Sequence, residues 1–163
     1  MYKRQTIDGS DAKDFDDAIH CIYSKSSFTL SVAIADVAEL VQLGTALDDE
    51  ALNRGTSIYF PSKVIPMLPE EISNNLCSLV PNQIRNVVVC EIAFSELGEV
   101  QGYNFFEARI KSHKRMTYAE VDKFLAAGSG LESKISNSIK ALHELTKALL
   151  NIRGNRCARE IES

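Results

Sequence analysis

Asp8-Gly9-Ser10-Asp11-Ala12-Lys13-Asp14-Phe15-Asp16-Asp17 is the stretch on which the reading of this chain turns. Half of its residues are aspartates, and Asp14, Asp16 and Asp17 stand almost side by side. Carboxylates this crowded repel one another, so a folded protein keeps such a cluster either in open water or around a multivalent cation. A charge run is usually a solvated face, but the flanks here are not those of a solvated tail. Thr6-Ile7 leads in, and Ala18-Ile19-His20-Cys21-Ile22-Tyr23 leads out as a strand. An acidic loop joined directly to a core strand fits a hard-cation site, most simply Mg2+, with Mn2+ as the alternative. Asp is short, so its carboxylate stays close to the backbone and is well positioned. A few such groups supply oxygen ligands while leaving room for water and a phosphate.

Two sharper motifs fail on spacing. A calcium-binding helix-loop-helix needs acidic or amide residues at alternate positions, then Gly, then a distant Glu. Started at Asp14 and Asp16, that register meets Ala18 where the third ligand belongs. An aspartyl-phosphate phosphatase would place its Asp-x-Asp at the end of an apolar strand, whereas Asp14 follows Ser-Asp-Ala-Lys.

Working outward, two further blocks stand in order behind the acidic one. Val32-Ala-Ile-Ala-Asp36-Val37 is the first; the second runs Asn53-Arg-Gly-Thr-Ser-Ile-Tyr59-Phe-Pro-Ser, Val64-Ile-Pro-Met-Leu-Pro69 and Leu76-Cys-Ser-Leu79. Together with Thr-Ile-Asp8 and Asp11-Ala-Lys-Asp14-Phe-Asp16-Asp17-Ala18, these resemble the signature of the RNB family of exoribonucleases, nearer its ribonuclease R branch than its ribonuclease II branch. The resemblance runs over essentially the whole chain and weakens from Gly128 to Ser163.

It implies processive 3′-to-5′ hydrolysis of single-stranded RNA to 5′-mononucleotides in the cytoplasm, assisted by Mg2+ or Mn2+. The family's four catalytic aspartates match Asp8, Asp14, Asp16 and Asp17. All four are expected at the metal, Asp8 and Asp17 as direct ligands, Asp14 and Asp16 directly or through water, with Asp16 the most indispensable. Asp11 lies inside the motif but is not one of the four. Tyr59 matches an aromatic that packs on the terminal nucleotides; stacking tolerates any base, as unselective degradation requires. Arg54 is a candidate phosphate contact. Cys157 replaces the family's usual Gly, and Glu39 stands where His is frequent.

The family's catalytic domain is longer than this chain. Its second half, with further stacking aromatics, a transition-state Arg and a catalytic Glu, and its flanking RNA-binding β-barrel modules find no match here. The expectation is therefore that residues 1–163 are the N-terminal part of such a catalytic domain and are inactive or very weak alone, with apolar surface exposed at the cut edge. A different class of protein, a non-catalytic RNA-binding or scaffolding module with the same fold, arises most readily by loss of the aspartates, and all four are present.

Composition sets the remaining bounds. With 163 residues and 45% hydrophobic content, the chain can build one domain with a real core. No apolar run approaches the roughly 20 residues of a membrane span, and Met1-Tyr-Lys-Arg-Gln-Thr lacks the apolar stretch of a signal peptide. Cys21, Cys77, Cys90 and Cys157 show no Cys-x-x-Cys or zinc spacing. Cys21 and Cys90 read as buried free thiols of a reducing compartment. The net charge of −4 argues against strong RNA binding by charge alone. Cations gather late, at Lys111, His113, Lys114 and Arg115 and at Arg153, Arg156 and Arg159; both groups read as a solvated edge and tail rather than an RNA path.

The fold class is α+β, a single domain with a mostly antiparallel mixed sheet and helices packed on it. Strands are predicted over 18–24 and 28–37, 57–60, and 87–94 with 100–110 around a Gly98 turn. Helices are predicted over 46–53, closed by Gly55, over 69–77, and from Thr117-Tyr-Ala-Glu120, a capping box, to 126. The last helix, 132–152, carries an apolar stripe of Ile135, Ile139, Leu142, Leu145, Leu149 and Ile152.

Overall fold

A computed structural model describes residues 4–155. Its strands are β1 (Arg4–Asp8), β2 (Asp17–Ser24), β3 (Ser27–Ala35), β4 (Ile58–Phe60), β5 (Lys63–Ile65), β6 (Ile84–Ser95) and β7 (Val100–Thr117). Its helices are α1 (Ala46–Arg54), α2 (Tyr118–Ala127) and α3 (Ser133–Asn155), with a 3-10 turn at Val37–Glu39 and a π-helical turn at Ile72–Leu76. The mixed class stands. Arg156, Cys157 and Arg159 lie outside the described residues.

Strands β1-β2-β3-β6-β7 close into a barrel. Every neighbouring pair is antiparallel except β1 and β7, which run parallel. Closure goes beyond the predicted mostly antiparallel mixed sheet, and its cause is the length of β7. Its first part pairs with β6, from Val100 to Lys111, and its second part with β1, from Ser112 to Thr117. The strands predicted from sequence lack β1 and β5 and end β7 at residue 110. β1 buries Arg4, Gln5 and Thr6 rather than an apolar alternation, and β7 runs on to Thr117 through a basic stretch that looked like an edge.

The hairpin between β2 and β3 turns on Lys25 and Ser26, both with positive φ (51° and 55°), the two-residue geometry whose twist matches the flanking strands. Ser27 Oγ donates to Ser24 O at 2.9 Å and ties the turn. Gly98 (φ 87°) turns β6 into β7 against α3, where an added Cβ would sit 3.1 Å from that of Ala148. The segment predicted as a helix over 69–77 is instead a short turn of helix that widens to π geometry from Ile72 to Leu76.

Three apolar clusters fill the structure. Below the acidic loop lie Phe15, Ala18, Ala33, Cys77, Leu79, Val87, Val89 and Ile110. Cys21, Phe28 and Phe94 meet Ala141 and Leu145 of α3, and Met116 meets Phe124, Ile135 and Ile139. The α3 stripe is thus buried at Ile135, Ile139 and Leu145, while Leu149 emerges to the surface. A buried hydroxyl, Ser138 Oγ, accepts from Gln5 Nε2 at 3.1 Å and from the Cys21 N–H at 3.0 Å, joining α3 to β1 and β2. Cys21 is buried, and burial pushes its thiol up to about 11. Cys90, expected to be buried, is only half-buried because β6 turns it away from the barrel interior.

Candidate active site

The loop from Gly9 to Asp16 is held to the barrel on three sides. Phe15 is its anchor: the ring is buried, its N–H donates to Ser78 Oγ at 3.0 Å, and its carbonyl accepts from the Leu79 N–H at 2.8 Å. The Asp16 carbonyl accepts from the Ala35 N–H at 2.9 Å, splicing the loop into the β2–β3 ladder. On the third side Arg115 Nη2 donates to the carbonyls of Gly9, Ser10 and Ala12 at 3.1, 2.8 and 3.3 Å. The Arg115 guanidinium also lies 4.9 Å from the Phe15 ring centroid, within cation–π range. A loop with its backbone polar groups spoken for in this way is not a free solvated turn.

Phe15 points inward, so Asp14 and Asp16 on either side of it leave the core. Asp17 opens β2 with its side chain exposed, ahead of the fully buried Ala18. Asp8 ends β1, in register with Thr117 of β7. Burial first, then the charges of Asp17, Asp14 and Asp16, raise the Asp8 carboxyl above its ordinary value, with Arg115 acting the other way. Burial, then Asp14 and Asp17, raise Asp16, and burial raises Asp17. Asp16 and Asp17 keep water-accessible side chains despite the protein mass around their carboxyls, so solvent screens part of this effect. The charges of Asp14, Asp16 and Asp17 thus act on Asp8, and those of Asp14 and Asp17 on Asp16.

Asp8 Oδ2 is buried and has no hydrogen-bond partner within the protein, which leaves that oxygen free to take an outside donor or cation. Among the described residues no three His, Cys, Asp or Glu side chains converge into a ready-made cage. The expected four-aspartate ligand set is therefore not gathered into a preformed site; carboxylate oxygens suit a hard cation such as Mg2+, which binds through one or two carboxylates and keeps several waters.

The other predicted residues sit apart. Tyr59 is 67% exposed on β4, opposite Val64 of β5, in a two-stranded hairpin whose six strand residues are all exposed. Two strands alone are marginal in water, so this hairpin presents its aromatic rather than burying it. Arg54 is engaged within its own neighbourhood: Nε pairs with Glu50 Oε1 at 2.8 Å and Nη1 donates to the Pro66 carbonyl at 2.8 Å. Among the described residues no hydrogen bond joins Arg54 or the hairpin to the acidic loop. Glu39 Oε2 accepts from Asn86 Nδ2 at 2.6 Å.

Of the late basic run, read from sequence as a solvated edge, none is a loose surface group. Lys111, His113, Lys114 and Arg115 are partly buried on β7, and Arg115 belongs to the acidic loop. Sequence alone gave no signal that separated it from its neighbours, because its partners are backbone carbonyls more than a hundred residues away.

The family model described as RNB domain matches residues 3–163. The chain belongs to the RNB family. Its RNB sequence is 46% identical to ribonuclease R of Vibrio cholerae over 97% of this chain and 20% of that protein. It is 50% identical to ribonuclease R of Escherichia coli over 86% of this chain and 17% of that one. The chain thus spans about a fifth of the length of the curated relatives it matches. Mycoplasma genitalium RNase R, solved in complex with ribose-methylated single-stranded RNA, superposes with a TM-score of 0.91 at 40% identity, covering 95% of this chain and 24% of that one. No helix among the described residues of this RNB chain is long and apolar enough to cross a membrane.

Proposed function

We propose that this chain is the N-terminal part of the catalytic domain of an exoribonuclease that degrades single-stranded RNA from its 3′ end, releasing 5′-mononucleotides with Mg2+ (or Mn2+). The observation that carries the reading is the acidic loop itself, anchored by Phe15 and Arg115 on a fold of the ribonuclease R family.

Asp8, Asp14, Asp16 and Asp17 would hold the cation, which when bound supplies Lewis-acid stabilisation of phosphate charge and lowers the pKa of an attacking water. The protein's part is to hold these carboxylates in place before substrate arrives, so that little reorganisation remains at the moment of reaction. Asp8, at the rigid end of a paired strand, and Asp17, at the start of β2, are the better-fixed pair. Tyr59 offers a stacking face worth about 1–3 kcal/mol per base, and stacking does not select sequence. The net charge of −4 leaves phosphate binding to the cation and to other parts of the enzyme, namely the rest of the catalytic domain and RNA-binding β-barrel modules. Residues 1–163 alone are accordingly expected to hydrolyse little or no RNA. A cytoplasmic location accords with this substrate.

The test is hydrolysis of 5′-labelled single-stranded RNA by the whole enzyme that carries this chain. Asp16→Asn is expected to cost about a thousandfold in rate, corresponding to several kcal/mol of lost charge stabilisation, while a shortened RNA still binds. Wild-type rates in an Asp16→Asn enzyme, or full activity in EDTA, would refute the reading.

A further inference from the structure

Among the described residues Arg115 is the cation that hydrogen-bonds to the acidic loop, and it does so through backbone rather than through carboxylates. Its Nη2 donates to the carbonyls of Gly9, Ser10 and Ala12 at 3.1, 2.8 and 3.3 Å. Its guanidinium face covers the ring of Phe15, the loop's buried anchor, at 4.9 Å. Among the described residues no salt bridge joins it to Asp8, Asp14, Asp16 or Asp17. An Arg placed to neutralise the cluster would fork onto a carboxylate; this one leaves the carboxylate oxygens open and takes the carbonyls behind them.

The strand beneath explains how it reaches. Arg115 is the register partner of Thr6 on β1, two residues before the Asp8–Thr117 pair. The same β7 segment that fixes Asp8 through the parallel ladder thus fixes the Gly9–Ala12 half of the loop through one side chain. The Phe15–Asp16 half is fixed independently, by Ser78, Leu79 and Ala35. Within Gly9–Lys13 the chain makes one backbone bond of its own, from the Ala12 N–H to the Gly9 carbonyl at 3.3 Å, and exposed Ser10, Asp11 and Lys13 give it no packing. Besides Arg115, the span between Asp8 and Asp14 is held by Ala12, which packs on the core beneath, and by a long 3.5 Å hydrogen bond from Ser78 Oγ to the Lys13 carbonyl at its far end.

We propose that Arg115 is a positioning residue: it clamps the Gly9–Ala12 carbonyls so that Asp8, at one end of the loop, keeps a fixed spacing from Asp14, Asp16 and Asp17 at the other. That this spacing serves catalysis rests on the nuclease reading above; the clamp itself does not.

Amide hydrogen exchange on the wild-type chain, Arg115→Met and Arg115→Lys separates the two. Met keeps most of the stem and loses every donor; Lys keeps charge and donors on a shorter, unforked head. Arg115→Met is expected to speed exchange at residues 9–14 by at least tenfold while the amides of β3 and β6 keep their rates, with Arg115→Lys in between. Tryptic cleavage after Lys13 should quicken in the same order. Mn2+ affinity, read by the spin-resonance signal of the free ion, should fall about tenfold in Arg115→Met and recover in part in Arg115→Lys. Unchanged exchange at 9–14, or equal acceleration throughout the barrel, overturns the clamp. Should Arg115→Met not fold, the Arg115→Lys profile decides alone by the same comparison. If Asp16→Asn leaves RNA hydrolysis intact while the loop loosens in Arg115→Met, the nuclease reading fails and the clamp stands.

Discussion

At the scale of single residues, the acidic loop trades stability for readiness. Burial and neighbouring carboxylates raise Asp8 and Asp16 above the ordinary value of 3.8 that they regain on unfolding. Between those two values the folded state binds more protons than the unfolded one, so stability falls as pH rises through that window. Above it the carboxylates are ionised in both states and the full cost of holding them together is present. In metal-free buffer near pH 7, Asp16→Asn should therefore melt above wild type, and the gap should close as pH is lowered towards 4. Thermal melts followed by circular dichroism across that range check the sign. Added Mg2+ should raise the wild-type midpoint, because a ligand that binds only the folded state must do so, and should raise that of Asp16→Asn less. The aspartates were legible in the chain because their crowding is written in consecutive positions. The residues that make the crowding rigid were not: Phe15, Ser78, Leu79 and Arg115 come together only through long-range backbone contacts.

At the scale of elements, the helix caps were read correctly, although the short strand β5, paired only with its neighbour β4, was not predicted. Thr117 accepts from the Glu120 N–H while Glu120 Oε2 accepts from the Thr117 N–H at 2.7 Å, completing the predicted capping box. Gly55 and Gly128 close α1 and α2. Elements set by distant partners escaped, as β1 did with its buried polar residues and β7 with its basic second half. Two substitutions probe these ends in opposite directions. Thr117→Ala removes the cap that also neighbours Asp8 and should cost about 1 kcal/mol. Ser26→Gly relieves a left-handed residue in the β2–β3 turn and should gain about 1 kcal/mol. Urea unfolding with unchanged slope would measure both; a loss on Ser26→Gly would show that the side chain supports the turn.

For the molecule as a whole, the barrel closes through the second half of β7, while the first half extends past it with one edge unpaired. Residues 100–107 of β7 pair with β6 along one edge only and are exposed throughout, with Tyr103 and Phe105 edge-to-face at 5.8 Å. An uncovered strand edge with large apolar side chains is a surface that seeks a partner. The chain by itself should self-associate at tens of micromolar, visible by sedimentation velocity. Replacing Tyr103 and Phe105 with Thr should suppress association while changing stability by no more than about 0.5 kcal/mol each, as for other surface positions. The α+β class was legible from periodicity; closure was not, because nothing local in β1 says that its main neighbour is β7.

That parallel pairing of β1 with the far end of β7 also sets a timetable. More than a hundred residues separate Asp8 from Thr117, its register partner. At roughly 5–20 residues per second of synthesis, Asp8 leaves the ribosome on the order of ten seconds before the strand that will hold it exists. The β2–β3 hairpin and its pairing with β6 can form in that interval, since each joins a strand to one already made. The acidic loop cannot take its final shape until Arg115 arrives. The four carboxylates are thereby unassembled in the nascent chain and come into place only as the barrel shuts.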